Sequence, residues 1–313
     1  MSNIYIIGGA NIDITGISIN PLIMHDSNPS NIKISFGGVA RNIAENCAVL
    51  GNKVYFSTVF SNDVFGESLR RDLINKGIDI SLSKNVENYS SSIYLSILDE
   101  NNDMYLGMSD MQILNAMELD TIDNVINKTK EEDILVIDTN LSKETIEYIC
   151  KKSKCLVVMD PISTRKSLKV IDALKYIDIF KPNRYEAESL SGIYIKDIKT
   201  ANQNIDFFLE KGIKEIVISL SEDGVIIGSK DERFWLKHDS VEINNATGGG
   251  DAFLSAYISG RIKNMSLLES ATYAIGAALA TIKSMDTVNQ ELCDKIIYDE
   301  ANKVNIRKVS LCI

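Results

Sequence analysis

The sequence predicts an α/β fold in which a central, mostly parallel sheet is covered by helices on both faces. Short apolar runs, typical of buried strands, occur at residues 4–7, 134–137, 156–159, 179–180 and 216–220. Amphipathic segments of helical length separate the later runs, and this alternation is characteristic of a parallel sheet. The 313 residues, 45% hydrophobic and 24% charged, are enough to bury a large core in one domain or two.

The net charge of −10, from 43 acidic and 33 basic side chains, argues against nucleic acid or an anionic membrane as the main partner. An anionic ligand would then be bound locally, by backbone amides and a few cations. The N-terminal apolar run follows no basic segment and is too short for a signal peptide or a membrane span. Two histidines are isolated, and no CxxC pair occurs among the five cysteines, which are Cys47, Cys150, Cys155, Cys293 and Cys312. We therefore expect a cytoplasmic protein with free thiols, without disulfides or a zinc site.

The first strand, residues 4–7, ends at Gly8-Gly9 and is followed by two polar residues, Asn11 and Asp13. Ligands of open α/β sheets bind outside the carboxyl ends of the strands, so both side chains are well placed for substrate hydroxyls. An Asx turn with a solvated aspartate explains this stretch equally well.

A pair of glycines, Gly37 and Gly38, opens the next predicted helix. Residues 32–36 before it alternate apolar and polar, which predicts a half-buried strand. Paired glycines allow the backbone to approach a ligand closely, and that ligand need not be charged. Asn42 is positioned to reach the same ligand from the face of the helix.

A hairpin is predicted in the first half of the chain. Residues 89–98 alternate polar and apolar, a turn cluster occupies 99–103, and residues 104–108 form a second short strand. This pattern is typical of an antiparallel pair with one exposed face. Segments at about 12–34 and 89–110 are therefore expected to form a small sheet beside the main body.

No repeat, low-complexity tract or linker divides the chain, so residues 1–313 are expected to form a single domain. Exposed apolar residues on the hairpin would suit a homodimer interface. The candidates are Ile93, Leu95 and Ile97, or their alternates on the other face.

Polar residues follow four of the predicted parallel strands. The clusters lie at 138–140, 160–163, 181–186 and 221–224. Because the carboxyl ends of parallel strands share one edge of the sheet, this edge gathers most of the unusual chemistry.

Three consecutive glycines, Gly248, Gly249 and Gly250, precede Asp251 and an apolar helix. Glycine has no Cβ, and the first N–H groups of a helix lack internal partners at the positive end of its dipole. Successive amides can therefore point at one anion, which suits a phosphate. On this stretch alone, a flexible turn with Asp251 as helix N-cap is the favoured alternative. No GxxxxGK[ST] motif occurs, and no GxGxxG follows a strand.

Three ordered motifs resemble those of the PfkB, or ribokinase-like, family of carbohydrate and nucleoside kinases. Residues 37–42 resemble its GGxxxN pattern, residues 245–253 its DTTGAGDxF pattern, and residues 181–186 contain its NxxE motif. The resemblance extends over essentially the whole chain. It implies a ribokinase-like three-layer α/β/α fold with a small β-sheet lid.

Within this family the closest likeness is to the pseudouridine kinases. The similar segments are residues 8–13, 26–29, 38–46, 138–141 and 160–166. The implied activity is ATP-dependent phosphorylation of a primary alcohol, the 5′-hydroxyl of pseudouridine.

The resemblance also implies roles for the glycine segment and the NxxE motif. Asp251 would accept the hydroxyl proton, while the amides of residues 248–250 would stabilise charge on the transferring phosphoryl group. Mg²⁺ would be bound through water by Glu186, together with Asn183. The alternative for this motif is a helix start after Pro182 with the glutamate in its first turn.

The remaining implied roles concern the two ligands. The implied substrate-binding residues are Asn11, Asp13, Gly37, Gly38, Asn42 and Asn140. The implied nucleotide-binding residues are Asn183, Glu186, Ser219, Gly224 and Thr247. Asn245 and Ala246 replace the first two residues of the family's glycine motif, which weakens the inference of a K⁺ ion near Asn245. Ser221 replaces a glycine of the family's TxGxxG segment, which puts its ribose contacts in doubt.

Two other functions stay open from the sequence. One is a kinase for another sugar or nucleoside, such as ribose, adenosine or fructose. The other is a non-catalytic sensor of sugars or nucleosides on the same scaffold, against which the retained Asp251 argues. In each case the partner is a small molecule, with no nucleic acid and no membrane, and a lid dimer would add a second copy.

Overall fold

The computed structural model describes residues 2–239, 241, 243–245 and 247–310. Ala246 of the glycine segment and Cys312 lie outside the described residues. Within them the strands are β1 Ile4–Ile7, β2 Asn11–Ser18, β3 Ser30–Gly37, β4 Val54–Ser57, β5 Val59–Ser61, β6 Lys84–Val86, β7 Ile93–Leu98, β8 Met104–Asp110, β9 Ile134–Asp138, β10 Leu156–Asp160, β11 Ile179–Phe180, β12 Glu215–Ser219, β13 Val225–Gly228, β14 Arg233–His238 and β15 Val304–Lys308. The α-helices are α1 Val39–Val49, α2 Val64–Asn75, α3 Leu119–Lys128, α4 Lys143–Lys152, α5 Thr164–Ser167, α6 Arg184–Ser191, α7 Ile198–Glu210, α8 Gly249–Ile262, α9 Leu267–Ile282 and α10 Asp294–Ala301.

The large sheet has nine strands in the order β15-β14-β13-β12-β11-β10-β9-β1-β4. The strands from β12 to β4 pair in parallel, as the apolar runs predicted. An antiparallel extension of β13, β14 and β15 forms one edge and was not predicted. Charged residues interrupt the apolar pattern of β14 and β15, so neither resembles a buried strand.

Helices cover both faces of the large sheet, as the residues of β1 make clear. Ile4 and Ile6 belong to a core shared with α1, α8 and α9, whereas Tyr5 and Ile7 belong to a second core shared with α3, α4 and α7. Successive residues of a strand point to opposite faces, so both faces of β1 must be apolar. The predicted three-layer α/β/α architecture is confirmed.

Capping residues set several of the helix starts. α2 follows Asp63, whose side chain accepts a backbone N–H of the first turn, and α9 begins with a capping box of Ser266 and Glu269. α9 packs closely on α10 at Gly276, where a side chain would overlap the carbonyl oxygen of Ile297. None of the helices in the described ranges is long and apolar enough to cross a membrane.

A small four-stranded sheet, ordered β3-β2-β7-β8, adjoins the carboxyl end of β1. β7 and β8 form the antiparallel hairpin that the alternation predicted. The half-buried strand predicted at residues 32–36 is only partly correct, because Ile32 and Ile34 are 65% and 59% exposed. β3 is an edge strand of this sheet, and no other described element covers these two side chains.

Candidate active site

The carboxyl ends of β9, β10 and β11 bring three buried charged side chains together. Asp138 ends β9, Asp160 ends β10 in register with it, and Lys181 follows β11. Nζ of Lys181 lies 2.9 Å from Oδ2 of Asp160. The polar clusters in the sequence predicted a site at this edge of the sheet. They did not assign roles to Asp160 and Lys181, because the order of the strands cannot be read from the sequence.

Asp251 lies at the same edge, in the first turn of α8. The N-cap of this helix is Gly248, whose backbone is left-handed with a φ of 89°, so the alternative with Asp251 as N-cap is wrong. The side chain of Asp251 is buried, and its Oδ2 accepts a hydrogen bond from Nδ2 of Asn42 at 2.9 Å. A carboxylate that caps no helix is available for a ligand.

The three glycines before Asp251 face different neighbours. A side chain at Gly248 would overlap the carbonyl oxygen of Thr287, and one at Gly249 would lie 2.7 Å from a side-chain carbon of α9. A side chain at Gly250 would instead lie 3.5 Å from Nζ of Lys181. Packing therefore requires the first two glycines, whereas the third faces the charged cluster. The first N–H groups of α8 have no partner within the helix and can bind an anion.

Burial and neighbouring acids raise the pKa of two carboxyl groups in the cluster. Burial, with the negative charge of Asp160, raises the pKa of Asp251 to about 7, although Asn42 and Lys181 act in the opposite direction. Burial and Asp160 likewise raise the pKa of Glu186 to about 7. A carboxylate with a pKa near neutrality is suited to accept a proton during turnover. On this criterion both Asp251 and Glu186 could take up a proton near neutral pH.

Asn183 and Glu186 form a capping box at the start of α6. Oδ1 of Asn183 accepts the backbone N–H of Glu186 at 3.0 Å, and Oε2 of Glu186 accepts the backbone N–H of Asn183 at 2.7 Å. The predicted helix start after Pro182 is therefore present, with Asn183 as the N-cap and Glu186 in the first turn. Oε1 of Glu186 makes no hydrogen bond to any described residue, so half of this buried carboxylate is left for a ligand.

The predicted substrate residues at the start of the small sheet lie together. Nδ2 of Asn11 donates to Oδ1 of Asp13 at 2.6 Å. A side chain at Gly37 would lie 2.5 Å from the carboxyl carbon of Asp13. One at Gly38, where φ is 104°, would lie 2.6 Å from the carbonyl oxygen of Gly9. The paired glycines thus allow β3 and α1 to approach this polar pair.

Asn140 joins the group through Asp138. Oδ2 of Asp138 accepts two hydrogen bonds at 3.0 Å, one from the backbone N–H of Gly9 and one from Nδ2 of Asn140. Oδ1 of Asp138 accepts a third, from the backbone N–H of Asn140 at 2.8 Å. Nζ of Lys166 donates to Oδ1 of Asn140 at 2.5 Å. Burial raises the pKa of Asp138 and lowers that of Lys166. No role was predicted for Asp138 from the sequence, although its position at the end of a predicted strand was apparent.

A cavity of about 250 Å³ lies beside Gly249 and Gly250. Apolar side chains of α8 and α9 line it together with Lys181, Ser219, Ser221 and Gly224. Two predicted nucleotide-binding residues, Ser219 and Gly224, are thereby placed next to the glycine segment. Apolar walls with a few polar groups are typical of a small-molecule site.

Asn245 and Thr247 do not line this cavity. Oδ1 of Asn245 accepts the N–H of Thr247 at 2.9 Å, and Nδ2 of Asn245 donates to the carbonyl oxygen of Met285 at 3.2 Å. The amide of Asn245 thus holds the turn before the glycines. Because the one oxygen of the Asn245 side chain already accepts this backbone N–H, the residue does not suit a K⁺ ion.

Asp251 lies between the two halves of the site. Asn42 connects it to α1 and hence to Gly38, while Gly250, its neighbour in the chain, lines the cavity. A small alcohol near Asn11 and a phosphate at the start of α8 would therefore both be close to one buried carboxylate. This arrangement can transfer a phosphoryl group to a hydroxyl.

Comparison with known proteins agrees with this chemistry. Residues 1–292 match the family described as pfkB family carbohydrate kinase. The chain is 34% identical over 291 residues to the pseudouridine kinase of Escherichia coli K12, which covers 92% of this chain and 93% of that protein.

Solved structures show the same fold. A candidate sugar kinase from Clostridium perfringens superposes with a TM-score of 0.86 at 30% identity, covering 99% of this chain and 98% of that one. A ribokinase from Thermotoga maritima superposes with a TM-score of 0.83 at 20% identity, covering 96% of this chain and 100% of that one. The second likeness concerns the fold alone, and it agrees with the predicted ribokinase-like architecture.

Kinases of this family in general use ATP and Mg²⁺ and act on a small sugar or nucleoside. The family model covers nearly the whole chain, and the fold and motifs agree with it. This chain belongs to the pfkB family of carbohydrate kinases and is a phosphotransferase with a hydroxyl group as acceptor.

Proposed function

We propose that this kinase phosphorylates the 5′-hydroxyl of pseudouridine with the γ-phosphoryl group of ATP. The observation that carries the proposal is the buried carboxylate of Asp251, bonded to Asn42 and placed beside the N-terminus of α8. The 34% identity to a protein named pseudouridine kinase supports the choice of acceptor. In the reaction the acceptor oxygen bonds to the γ-phosphorus, the bond from that phosphorus to the ADP oxygen breaks, and the hydroxyl proton passes to Asp251.

The chain's own groups supply positioning and charge. The N–H groups of residues 248–250 stabilise the charge that develops on the transferring phosphoryl oxygens. Nζ of Lys181, which lies near Gly250 and is anchored by Asp160, adds a fixed positive charge on the same side. Fixed donors of this kind need no reorganisation during the reaction.

The acceptor would be bound on the small-sheet side. We assign the ribose hydroxyls to the side chains of Asn11, Asp13 and Asn42, with Gly37 and Gly38 allowing close approach, and we keep Asn140 in the substrate site. Asp13 is partly exposed, so its carboxylate can reach a ligand hydroxyl. We further propose that residues 1–313 form a single domain, within which the small sheet acts as a lid that excludes water from the site.

Glu186 fits the Mg²⁺ expected for this family. Its Oε1 is unbonded within the described chain, and carboxylate oxygen is a preferred ligand of Mg²⁺ or of its bound waters. A cation there would also relieve the unfavourable proximity of Glu186 and Asp160. When bound, Mg²⁺ neutralises charge on the phosphates. Asn183 contributes by holding Glu186 in place.

We expect Glu186→Gln to raise the Mg²⁺ concentration for half-maximal activity by roughly 10-fold or more, because partners outside the metal's first shell typically contribute 10–100-fold to affinity. Glutamine still completes a capping box, so the melting temperature should change little. Glu269→Gln is the matched control, because Glu269 occupies the same position in the exposed capping box of α9. Equal Mg²⁺ dependence in both variants would remove Glu186 from the metal site.

The acceptor can be tested directly with ATP and Mg²⁺ against pseudouridine, uridine, ribose, adenosine and fructose. We expect the highest kcat/KM with pseudouridine and a 5′-phosphate as the product. The competing candidate is a kinase for another sugar or nucleoside. Turnover of ribose or adenosine without turnover of pseudouridine would establish it.

We also propose a homodimer formed through the lid. The sequence predicted exposed apolar residues on the hairpin, at Ile93, Leu95 and Ile97 or their alternates. The structure exposes apolar residues chiefly on two edge strands, β3 and β8, of which β8 is the second strand of that hairpin. These residues are Ile32, Ile34, Met104, Leu106 and Met108. Light scattering should give twice the chain mass, and Ile34→Lys with Met108→Lys should give a monomer. A monomeric wild type would contradict the dimer.

A further inference from the structure

Arg41 lies buried beside the candidate site, between Asn42 and a cluster of acids. Nη1 donates to Oδ1 of Asn42 at 3.1 Å and to the carbonyl oxygen of Phe36 at 3.4 Å. Nη2 donates to Oδ2 of Asp72 at 2.9 Å and pairs with Glu45. Arg41 is 3% exposed, so none of these bonds competes freely with water.

The contact with Asn42 determines which end of its amide faces Asp251. An amide side chain has one accepting oxygen and one donating nitrogen. In the observed orientation, Oδ1 receives a guanidinium N–H and Nδ2 donates to the carboxylate. The reversed orientation would place two donors together at Arg41 and two acceptors together at Asp251. The reversed state is therefore strongly disfavoured in this buried site.

We infer that Arg41 is a positioning residue that orients the amide of Asn42 so that its Nδ2 donates to Asp251. The inference rests on the proposed function, in which Asp251 accepts the proton from the acceptor alcohol. Arg41 itself contacts neither Asp251 nor the glycine segment.

The acids around Arg41 keep its guanidinium in place. Glu45, on the same helix, also pairs with Lys76, and its Oε1 accepts a hydrogen bond from Nε2 of Gln290 at 2.7 Å. Nζ of Lys76 lies 3.3 Å from Oδ1 of Asp72. The two cations and two carboxylates balance in charge, so Arg41 and Glu45 can remain buried while Asp72 and Lys76 stay partly exposed.

The inference predicts a pH effect whose sign can be worked out. The charged groups that face Asp251 are Asp160 and Asp138, which raise its pKa, and Lys181, which lowers it together with the hydrogen bond from Asn42. Loss of that bond removes a group that favours the ionised carboxylate, so the pKa of Asp251 rises. A base must be ionised to act. As the pH is lowered, activity would therefore begin to fall at a higher pH than in the protein with the bond intact.

The test compares Glu45→Gln with the charge-balanced double variant Arg41→Met/Glu45→Gln. In Glu45→Gln, the reference, we expect the acid limb of the kcat/KM profile near pH 7. In the double variant we expect this limb to lie about one pH unit higher. Titration of the Asp251 carboxyl group followed by ¹³C NMR should show the same shift in pKa without relying on activity. The carboxyl resonance is assigned to Asp251 because it is absent from the spectrum of Asp251→Asn. If the double variant does not fold, Arg41→Lys, which keeps the cation but loses the planar fork, gives the same readout.

Two further variants separate positioning from general stability. In an Asn42→Leu background, the Arg41 substitution should cause no further shift of the acid limb, because the amide that connects Arg41 to Asp251 is absent. Lys76→Met removes a cation from the same cluster without touching Asn42, so it should lower stability and leave the acid limb unchanged. An unshifted Asp251 pKa in the Arg41 variants, or an equal shift in Lys76→Met, would overturn the inference. Full activity of Asp251→Asn would instead refute the proposed function itself.

Discussion

Replacing Asp251 with asparagine should lower kcat by about 10²–10⁴-fold, the range typical of general-base catalysis. Asparagine has the same shape and can still accept the hydrogen bond from Asn42, so the site should stay assembled. It cannot take up the proton of the acceptor hydroxyl. Steady-state kinetics with saturating ATP, Mg²⁺ and pseudouridine would measure the loss, and nucleotide affinity should remain near that of the wild type.

The same substitution should stabilise the folded protein at pH 8. The folded pKa of Asp251, about 7, lies above its ordinary value of 3.8, so the folded state binds the proton more tightly than the unfolded chain. Stability from this group is therefore lost as the pH rises from about 4 to about 7. A neutral residue avoids that loss, and the free energy of unfolding at pH 8 should rise by about 1 kcal/mol or more.

Asp133→Asn is the matched control for Asp251→Asn. Asp133 is also buried, but it precedes β9 at the opposite edge of the sheet and accepts backbone N–H groups of Asn3 and Lys130. Its replacement should lower stability and leave kcat unchanged. If both variants lost activity equally, the defect in Asp251→Asn would be structural rather than chemical.

Gly248→Ala should have the second-largest effect. The φ of 89° disfavours any L side chain, and a Cβ would overlap the carbonyl oxygen of Thr287. The turn must therefore shift, and a displacement of about 1 Å can cost about 10²-fold in rate. We expect a fall of that size in kcat/KM, together with a loss of stability.

Gly51→Ala isolates the backbone contribution. Gly51 has a φ of 80°, but no neighbouring atom lies within 4 Å of a Cβ built there. It should cost about 1–2 kcal/mol of stability and no activity. If Gly248→Ala behaved in the same way, the position of the glycine turn would be unimportant for phosphoryl transfer.

Much of the fold was predictable because burial on two faces demands uninterrupted apolar strands. Residues 4–7 match β1 without change, and the runs at 134–137 and 156–159 match β9 and β10 to within one residue. β14 and β15 were missed because they form the antiparallel edge of the sheet, where charged residues interrupt the apolar pattern.

The candidate site was predictable residue by residue but not as a set of contacts. Motif positions pointed to Asn42, Glu186 and Asp251, yet the spacing in sequence says nothing about which of them touch. The pairing of Lys181 with Asp160 depends on the neighbouring positions of β10 and β11, which only the folded sheet determines. The raised pKa values have the same origin, since burial is a property of the assembled site.

A crystal structure with pseudouridine and a non-hydrolysable ATP analogue tests the central claim most directly. We predict that the terminal phosphate lies within about 3 Å of the N–H groups of Gly249 and Gly250, and that the 5′-oxygen of the nucleoside lies about 3 Å from the carboxylate of Asp251. A terminal phosphate bound elsewhere, with the nucleoside hydroxyl out of reach of Asp251, would contradict the account.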